Sequence, residues 1–469
     1  MKNAFLILFF SFIALTSCNN DESSDSTPLA VAFVNPTANI SNDETPVNVV
    51  FSSAAPSAGT VILNVATTNL NYGVDFTTTP AVVSNTISVP FASGATSATF
   101  TFTKLIDAIE GEVKNVSFTI ASVTLDNSEI PVATSTTQLN FNETAMESNT
   151  TLAENGGNTF PNQVYIDLSS GAKKEVVRTS WDLGFYSGSE FRVALNGAIN
   201  KFAVKQLATT NIDEVQAEDP NVTTGNFDAA NMAYVDAPYG NISGTAIAEI
   251  SANDADNKVY LVNLGQDIAT TPAAGTSAAL AGTARGWKKV RILRSGNDYK
   301  LQYANIDATT HNEVIIPKSA GYNYTFFSLV AGNTVSVEPL AAKWDLNITT
   351  FTGETFYGSG ESAGAYYFPD YAITNTKNGT KAYQVLTSDF TYDGFALANV
   401  DTSKLENAAA ADQRAIGSNW RATMPLQIKT DRFYVVKDAA GNVYKLKFNA
   451  MLGTGGDRGH VTFEYQLLQ

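Results

Sequence analysis

The chain has 469 residues and a formal net charge of −16, with 44% hydrophobic and only 16% charged residues. This acidic balance excludes recognition of nucleic acid through a basic surface, since neutralising phosphates requires clustered lysine and arginine. At about 100–200 residues per domain the length predicts two to four domains, and the abundance of Thr, Ser, Val, Asn and aromatic residues favours an all-β fold.

The N-terminus has the pattern of a cleaved lipoprotein signal peptide. Lys2 precedes an apolar run at residues 4–15, which ends in Leu15-Thr16-Ser17-Cys18. The run is shorter than the roughly 20 residues of a membrane-spanning helix. Residues 1–17 are therefore predicted to be removed, and Cys18, the only cysteine of the chain, is predicted to carry a diacylglycerol. The alternative is an unmodified thiol.

A polar, acidic segment at residues 18–28 follows and is predicted to be a flexible tether. Two acyl chains on one cysteine make membrane attachment stable, whereas a single chain is marginal. Acidic residues close to the lipidated cysteine resemble the surface-export signal of some bacterial lipoproteins. We therefore expect a lipid anchor in the outer membrane with the protein on the cell surface, and the inner face of that membrane is the alternative.

Residues 29–143 contain short, alternating apolar runs between Gly, Pro, Asn and Ser, the signature of a β-sandwich. Within them NYGVDF at 71–76, FASG at 91–94 and DAIEGE at 107–112 resemble the Calx-beta family. Members of that family bind Ca²⁺ through clustered carboxylates, and acidic residues of this hard, oxygen-donating type are available. The resemblance implies candidate calcium ligands at Asp75, Asp107, Glu110 and Glu112, with Asp43 and Glu44 as further donors. The alternative is a spacer module with solvated acidic loops.

An internal duplication follows a polar linker at about residues 143–158. The first copy has LSSG at 168–171, WDLGF at 181–185 and NG at 196–197. The second copy has LVAG at 329–332, WDLNI at 344–348 and NTKNG at 375–379, in the same order. We predict two antiparallel β domains, at residues 158–316 and 317–469.

The repeated Trp-Asp-Leu motif fits a strand in which Trp and Leu face a core. Trp181 and Trp344 are therefore predicted to be core anchors, with stacking on a ligand as the alternative. Asp182 and Asp345 are predicted to accept backbone N–H groups or to pair with an arginine, because no partner acid stands at a fixed spacing from either.

Several ordered motifs besides Trp-Asp-Leu resemble the HmuY family of outer-surface haem-binding lipoproteins. They are IGSNWR at 416–421, YVVKD at 434–438, GNVYKLKF at 441–448, DRG at 457–459 and FEY at 463–465. The likeness covers roughly the C-terminal two thirds. It implies an all-β domain that takes up haem outside the cell and passes it to a TonB-dependent outer-membrane receptor. It also implies that His or Met side chains on loops hold the iron.

The side chains able to ligate iron stand in no diagnostic spacing in this sequence. Haem ligation needs His, Met, Cys or Tyr, and the chain has two histidines. The candidate ligands are Met232, Tyr392, Met424, Met451 and His460, with Tyr234 and Tyr239 as further options in the first copy. For the methionines the alternative is filling gaps in a core, and for His460 and His311 it is a structural role.

A basic run at residues 287–294 is open to two interpretations. Lys288, Lys289, Arg291 and Arg294 could neutralise haem propionates, or they mark a solvated strand face or a protected sheet edge, which is the interpretation we favour.

Three functional hypotheses follow. The first is a carrier of haem or a related tetrapyrrole, and the second is a surface adhesion or glycan-binding lipoprotein with a Calx-beta-like stalk. The third, an enzyme, is the weakest, because no zinc-binding, nucleophile-elbow or phosphate-loop motif is present.

Overall fold

The computed structural model describes residues 29–40, 43–106, 108–109, 112–126, 128–130, 135–141 and 145–469. Two compact units divide the chain. The N-terminal unit comprises residues up to 107 and 113–141, and the second unit, called here the repeat unit, comprises residues 108–112 and 142–469. Residues 1–17 and the whole predicted tether at residues 18–28, including Cys18, lie outside the described residues, so the lipid anchor stays a prediction.

The N-terminal unit is a sandwich of two sheets, as predicted. Its strands are β1 (Val31–Phe33), β2 (Thr37–Asn39), β3 (Glu44–Phe51), β4 (Gly59–Thr68), β5 (Phe76–Thr79), β6 (Thr86–Phe91), β7 (Ser97–Lys104), β8 (Asn115–Leu125), β9 (Ser128–Ile130) and β10 (Thr136–Asn140). One sheet has the order β1-β3-β7-β5; the other has the order β2-β10-β8-β4-β6, with β9 beside β8. Alternate residues of β3, namely Val47, Val49 and Phe51, are buried, which is the pattern of a strand with one face on a core.

The repeat unit contains the remaining strands. They are β11 (Ser148–Glu154), β12 (Asn162–Ile166), β13 (Lys173–Val177), β14 (Leu183–Tyr186), β15 (Val193–Leu195), β16 (Phe202–Gln206), β17 (Val259–Leu264), β18 (Trp287–Ser295), β19 (Asp298–Asn305), β20 (Asn312–Ile316), β21 (Tyr324–Ser328), β22 (Asn333–Val335), β23 (Leu346–Phe356), β24 (Ser362–Thr374), β25 (Lys381–Leu386), β26 (Arg421–Thr423), β27 (Leu426–Ile428), β28 (Arg432–Lys437), β29 (Val443–Leu452) and β30 (Arg458–Leu467).

Short helical turns join these strands. One α-helix, α1, spans Thr402–Glu406, and short 3₁₀-helices lie at Ile212–Glu214, Ala229–Tyr234, Ile242–Gly244, Ala341–Lys343, Thr376–Asn378, Leu397–Asn399 and Ala408–Ala411. The all-β prediction is confirmed for both units. None of the helices in the described part of the chain is long and apolar enough to cross a membrane.

The two sequence copies exchange strands within the repeat unit. Two five-stranded sheets, β16-β17-β18-β19-β20 and β11-β30-β29-β28-β25, draw their strands mainly from one copy each. Two four-stranded sheets, β13-β12-β23-β24 and β15-β14-β21-β22, contain strands of both copies. The predicted boundary between residues 316 and 317 therefore separates sequence copies that share sheets, and both copies belong to one compact unit.

The exchange is reciprocal around the Trp-Asp-Leu motifs. In the first copy Leu183 of β14 pairs with Phe327 of β21, and in the second copy Leu346 of β23 pairs with Ile166 of β12. Each motif strand thus pairs with the strand that precedes the Leu-Ser-Ser-Gly or Leu-Val-Ala-Gly turn of the other copy. These antiparallel pairs join the strands of the two copies in both four-stranded sheets.

The two motif aspartates repeat this reciprocity at the level of side chains. The backbone N–H of Leu329 donates to Oδ2 of Asp182 at 2.7 Å, and the N–H of Leu168 donates to Oδ2 of Asp345 at 2.9 Å. Asp182 also lies 2.8 Å from the guanidinium of Arg285. The prediction that these carboxyls satisfy backbone N–H groups or pair with an arginine is confirmed.

The expectation that the basic run at residues 287–294 protects a sheet edge is wrong. It forms β18, the middle strand of its five-stranded sheet. Lys289 is completely buried, and its ammonium donates to the backbone carbonyls of Val215 and Ala308. Alternating charges along a strand cannot show whether it is an edge strand or a central strand, because long lysine side chains can cross a sheet face to reach polar loops.

Candidate functional site

Two long, strand-poor connections occupy equivalent places in the two copies. Residues 207–258 join β16 to β17, and residues 387–431 join β25 to β28. Gln413 ties the two together, because its backbone N–H donates to the carbonyl of Tyr239 at 3.2 Å and its side chain donates to the carbonyl of Pro238 at 2.9 Å. Loops held by a rigid scaffold are the usual place for binding residues.

A surface groove, called here the loop groove, lies beside this junction. It has a volume of about 420 Å³ and is lined by Met232, Tyr239, Glu354 and Arg414, among others. Met232 is half-buried in the turn at Ala229–Tyr234, and the Tyr239 side chain is 46% exposed. Two side chains of types that ligate haem iron therefore face one groove from a single connection.

Arg414 supplies the cationic side of the loop groove. Its guanidinium donates to both carboxylate oxygens of Asp412, at 2.7 Å from Nη2 and 3.0 Å from Nε. Hydrogen bonding to Asp412 raises the pKa of Arg414 despite partial burial. The ion pair holds the guanidinium in place and leaves Nη1 free of protein hydrogen bonds among the described residues, so a ligand carboxylate can still reach it.

A second, larger groove shares Arg414 with the first. It has a volume of about 600 Å³, and its lining includes Tyr371, Tyr383, Lys404 and Arg414. Burial raises the pKa of Tyr371 to about 12, and burial also raises the pKa of Tyr383, although the Tyr383 hydroxyl accepts the backbone N–H of Asp401. Neither phenol is prepared to ligate iron as a phenolate, so this groove offers aromatic walls and positive charge without a metal ligand.

The structure separates the other candidate haem ligands from both grooves. Met451 is 3% exposed and packs in the core formed by β28, β29 and β30, which is the gap-filling role weighed as its alternative. Met424 is 93% exposed in the turn between β26 and β27. Tyr392 packs against Phe433, and burial raises the pKa of its phenol, which disfavours the phenolate. Of the five candidates only Met232 lines a groove.

His460 is engaged at both ring nitrogens. Its Nδ1 lies 2.8 Å from a Glu154 carboxylate oxygen and its Nε2 lies 3.1 Å from a carboxylate oxygen of Asp457. Burial lowers the pKa of His460, but the hydrogen bonds to Asp457 and Glu154 outweigh it, and the pKa is raised above 6.5. His460 thus fastens β30 to β11. The other histidine, His311, is paired with Asp213 at 2.9 Å.

This arrangement predicts a pH dependence of stability. Because the folded protein holds the His460 proton more tightly than the unfolded chain, the added stability is complete below about pH 6.5 and is lost as the pH rises through the raised pKa. In His460→Gln we expect a loss of under about 1 kcal/mol at pH 6 and none at pH 9. Urea unfolding at both pH values measures this, and an equal loss at both would contradict the assignment.

The predicted calcium ligands are only partly described. Asp107 and Glu110 lie outside the described residues. Asp75 accepts the backbone N–H of Asn71 at 2.6 Å, which makes it part of a turn. Within the described ranges, no three His, Cys, Asp or Glu side chains are grouped closely enough to hold a metal ion. Calcium binding by Asp75 and Glu112 stays a prediction.

Arg414 and Glu354 were not recognised from the sequence. Arg414 stands in a stretch without alternation or motif, and Glu354 belongs to a strand whose neighbours are mostly apolar or hydroxylated. Only the exchange of strands brings them to residues 232–246 of the other copy. The sequence signal that could have pointed to Arg414 is Asp412, two positions before it, because a nearby carboxylate can orient a guanidinium.

Comparisons with known proteins agree with the duplication. A family model described as HmuY protein matches residues 159–313 and again residues 321–465. No curated protein matches the chain significantly.

Three solved structures illustrate the likeness. An HmuY-like protein from Bacteroides vulgatus is 11% identical, covering 68% of this chain and 91% of its own, with a TM-score of 0.16. Apo PinO from Porphyromonas gingivitis is 11% identical, covering 69% and 100%, with a TM-score of 0.19. The apo Calx CBD1 domain is 14% identical, covering 24% and 96%, with a TM-score of 0.19.

Proposed function

Because the chain belongs to the HmuY family, whose model matches it twice over more than half of its length, we propose that it captures haem or a related tetrapyrrole at the cell surface. The lipid anchor at Cys18 would hold it in the outer membrane, where a TonB-dependent receptor would accept the cargo. The N-terminal sandwich would then be a stalk between the anchor and the repeat unit. Binding without chemical conversion of the cargo is the expected activity.

The loop groove carries this proposal. Met232 and Tyr239 offer a thioether and a phenol, both of which ligate haem iron in other proteins. Arg414 offers a guanidinium on the same groove, and guanidinium groups pair well with carboxylates such as the haem propionates. A thioether or phenolic ligand beside a fixed cation suits an anionic metal tetrapyrrole.

The test is an absorption titration of the purified protein with ferric and ferrous haem. We expect a saturable shift of the Soret band, with affinity lowered at least about tenfold in Met232→Ala, which is the loss of roughly 1.4 kcal/mol expected for one ligand contact. Tyr239→Phe keeps the backbone carbonyl that Gln413 uses and tests the phenol alone. Met424→Ala is the matched control, because that side chain is 93% exposed and lines neither groove.

Two results would contradict the proposal. One is the absence of a saturable shift with either oxidation state. The other is a loss of binding in Met424→Ala while Met232→Ala and Tyr239→Phe bind normally, which would move the site to the hairpin of β26 and β27.

A glycan-binding surface is the second candidate function, favoured by exposed aromatic side chains near the turn between β23 and β24. Phe227 and Phe356 are each 57% exposed and Tyr357 is 49% exposed. The rings of Phe227 and Tyr366 lie 5.9 Å apart at 33°. Flat aromatic groups in the open can stack on sugar rings as well as on a tetrapyrrole. Protein that ignores haem but is retained on a polysaccharide column would favour this function.

A further inference from the structure

One segment of the first copy, residues 235–246, lines two spaces at once and is called here the groove wall. Four of its residues line both the loop groove and an inner cavity of about 160 Å³: Val235, Ala237, Pro238 and Thr245. Tyr239, the phenol proposed as an iron ligand, stands on the same segment. A segment that faces open space makes few packing contacts there, so its position depends strongly on its hydrogen bonds.

The carboxylate of Asp236 fastens both ends of the groove wall. Asp236 is half-buried at the first end and lines the inner cavity. Its Oδ1 accepts the backbone N–H of Ala246, at the other end of the wall, at 2.8 Å. Its Oδ2 accepts the backbone N–H of Leu195, the last residue of β15, at 2.7 Å. One side chain thus closes the neck of the segment and ties it to a sheet.

The other hydrogen bonds that hold the groove wall differ in kind. Within the wall, the backbone N–H of Ala237 donates to the carbonyl of Gly244 at 2.8 Å. From the second copy, Gln413 donates to two carbonyls of the wall, as described above. Arg192, beside β15, donates to the carbonyl of Ser243 at 3.3 Å from an exposed position. The two shorter bonds of Asp236 are therefore the stronger link between the wall and β15.

Asp236 needs both carboxylate oxygens for this contact. Burial raises the pKa of Asp236 to about 6, against its hydrogen bonds from Ala246 and Leu195, so the side chain is mainly ionised at pH 8. An asparagine has almost the same shape but only one acceptor oxygen. Its NH₂ group would face one of the two backbone N–H groups, so Asp236→Asn can hold only one end of the wall.

We propose that Asp236 is a positioning residue of the haem site, setting the place of Tyr239 by clamping the groove wall to β15. The inference rests on the proposed capture of haem at the loop groove. Asp236 acts through the wall rather than by touching the cargo, because its side chain lines the inner cavity and not the groove. Leaving one backbone N–H without its acceptor is enough to change an equilibrium by at least about fivefold.

Hydrogen exchange of the full chain without haem, at pH 8, tests the clamp itself. In Asp236→Asn we expect residues 236–246 to exchange at least about fivefold faster, with β17 and β18 unchanged. Asp298→Asn is the matched control, because Asp298 is also half-buried, accepts the backbone N–H of Lys318 at 3.2 Å and lines neither groove. Asp236→Glu keeps both acceptors, and the inner cavity offers room for its added methylene, so its exchange should change less.

Haem titration of the same variants tests the positioning role. We expect affinity at least about fivefold lower in Asp236→Asn, an intermediate loss in Asp236→Glu and none in Asp298→Asn. In a Tyr239→Phe background the effect of Asp236→Asn should be smaller, because two changes that act through one contact are not additive. If Asp236→Asn does not fold, Asp236→Glu carries both measurements.

The outcomes separate this inference from haem capture. Unchanged exchange of residues 236–246 in Asp236→Asn would overturn the clamp. Equal haem affinity of Asp236→Asn and the unaltered protein would overturn the positioning role while leaving haem capture intact, and so would tighter binding by Asp236→Asn than by Asp236→Glu. An unaltered protein that binds no haem would contradict haem capture, and the positioning role would fall with it.

Discussion

Arg458→Met is expected to lower the free energy of unfolding of the repeat unit by about 3–5 kcal/mol, the range for leaving one member of a buried ion pair without its partner. Asp370 is completely buried on β24, and its Oδ2 accepts Nε of Arg458 on β30 at 2.9 Å. Arg421 is a more distant neighbour of the same oxygen, at 3.9 Å. Removing Arg458 therefore leaves a buried carboxylate with one weak countercharge between two sheets.

Chemical unfolding followed by tryptophan fluorescence measures this effect in the right unit, because Trp181, Trp287, Trp344 and Trp420 all belong to the repeat unit. Arg432→Met is the matched control. Arg432 is paired at 2.7 Å with Asp431, whose side chain is 62% exposed, and surface pairs contribute under about 1 kcal/mol. If both variants lose the same free energy of unfolding, the buried pair of Arg458 and Asp370 contributes no more to stability than a surface pair does.

Replacing each motif aspartate with asparagine is expected to give very different results in the two copies. Asp182→Asn leaves the buried guanidinium of Arg285 with the half-exposed Asp267, at 3.5 Å, as its remaining countercharge among the described residues, and should cost about 3 kcal/mol. Burial raises the pKa of Asp345 to about 8, with the nearby Asp167 adding to the shift. Asp345 is therefore largely protonated at pH 7, and Asp345→Asn should cost under about 1 kcal/mol.

The raised pKa of Asp345 also gives a pH dependence with a definite sign. Between about pH 4 and pH 8 the folded protein keeps a proton that the unfolded chain has lost, so stability falls as the pH rises through this window. Asp345→Asn should flatten that decline. Unfolding curves at pH 5 and pH 8 measure the slope, and an unchanged slope in Asp345→Asn would contradict a protonated carboxyl at this position.

Local patterns in the sequence predicted the strands and the duplication, because both depend on neighbours along the chain. Alternating apolar residues marked strands such as β3, and the repeated Trp-Asp-Leu motif marked equivalent positions whose tryptophans are indeed buried. Pairing between copies was not predictable in this way. A strand that suits a partner in its own copy suits the equivalent strand of the other copy equally well.

The same limit explains what was missed at the candidate sites. Met232 was one of five possible iron ligands, and no local feature separated it from Met451, which is a core residue. Arg414 acquires its surroundings only when the second copy meets residues 232–246 of the first. Sites assembled by long-range pairing have no local signature beyond the residue types themselves.

A crystal structure of the haem complex, with the iron located by anomalous scattering, tests haem capture most directly. We expect the iron in the loop groove, ligated by the sulfur of Met232 or the phenol of Tyr239, with a propionate at Arg414. Iron located elsewhere on the repeat unit, or crystals from saturating haem that contain none, would contradict it.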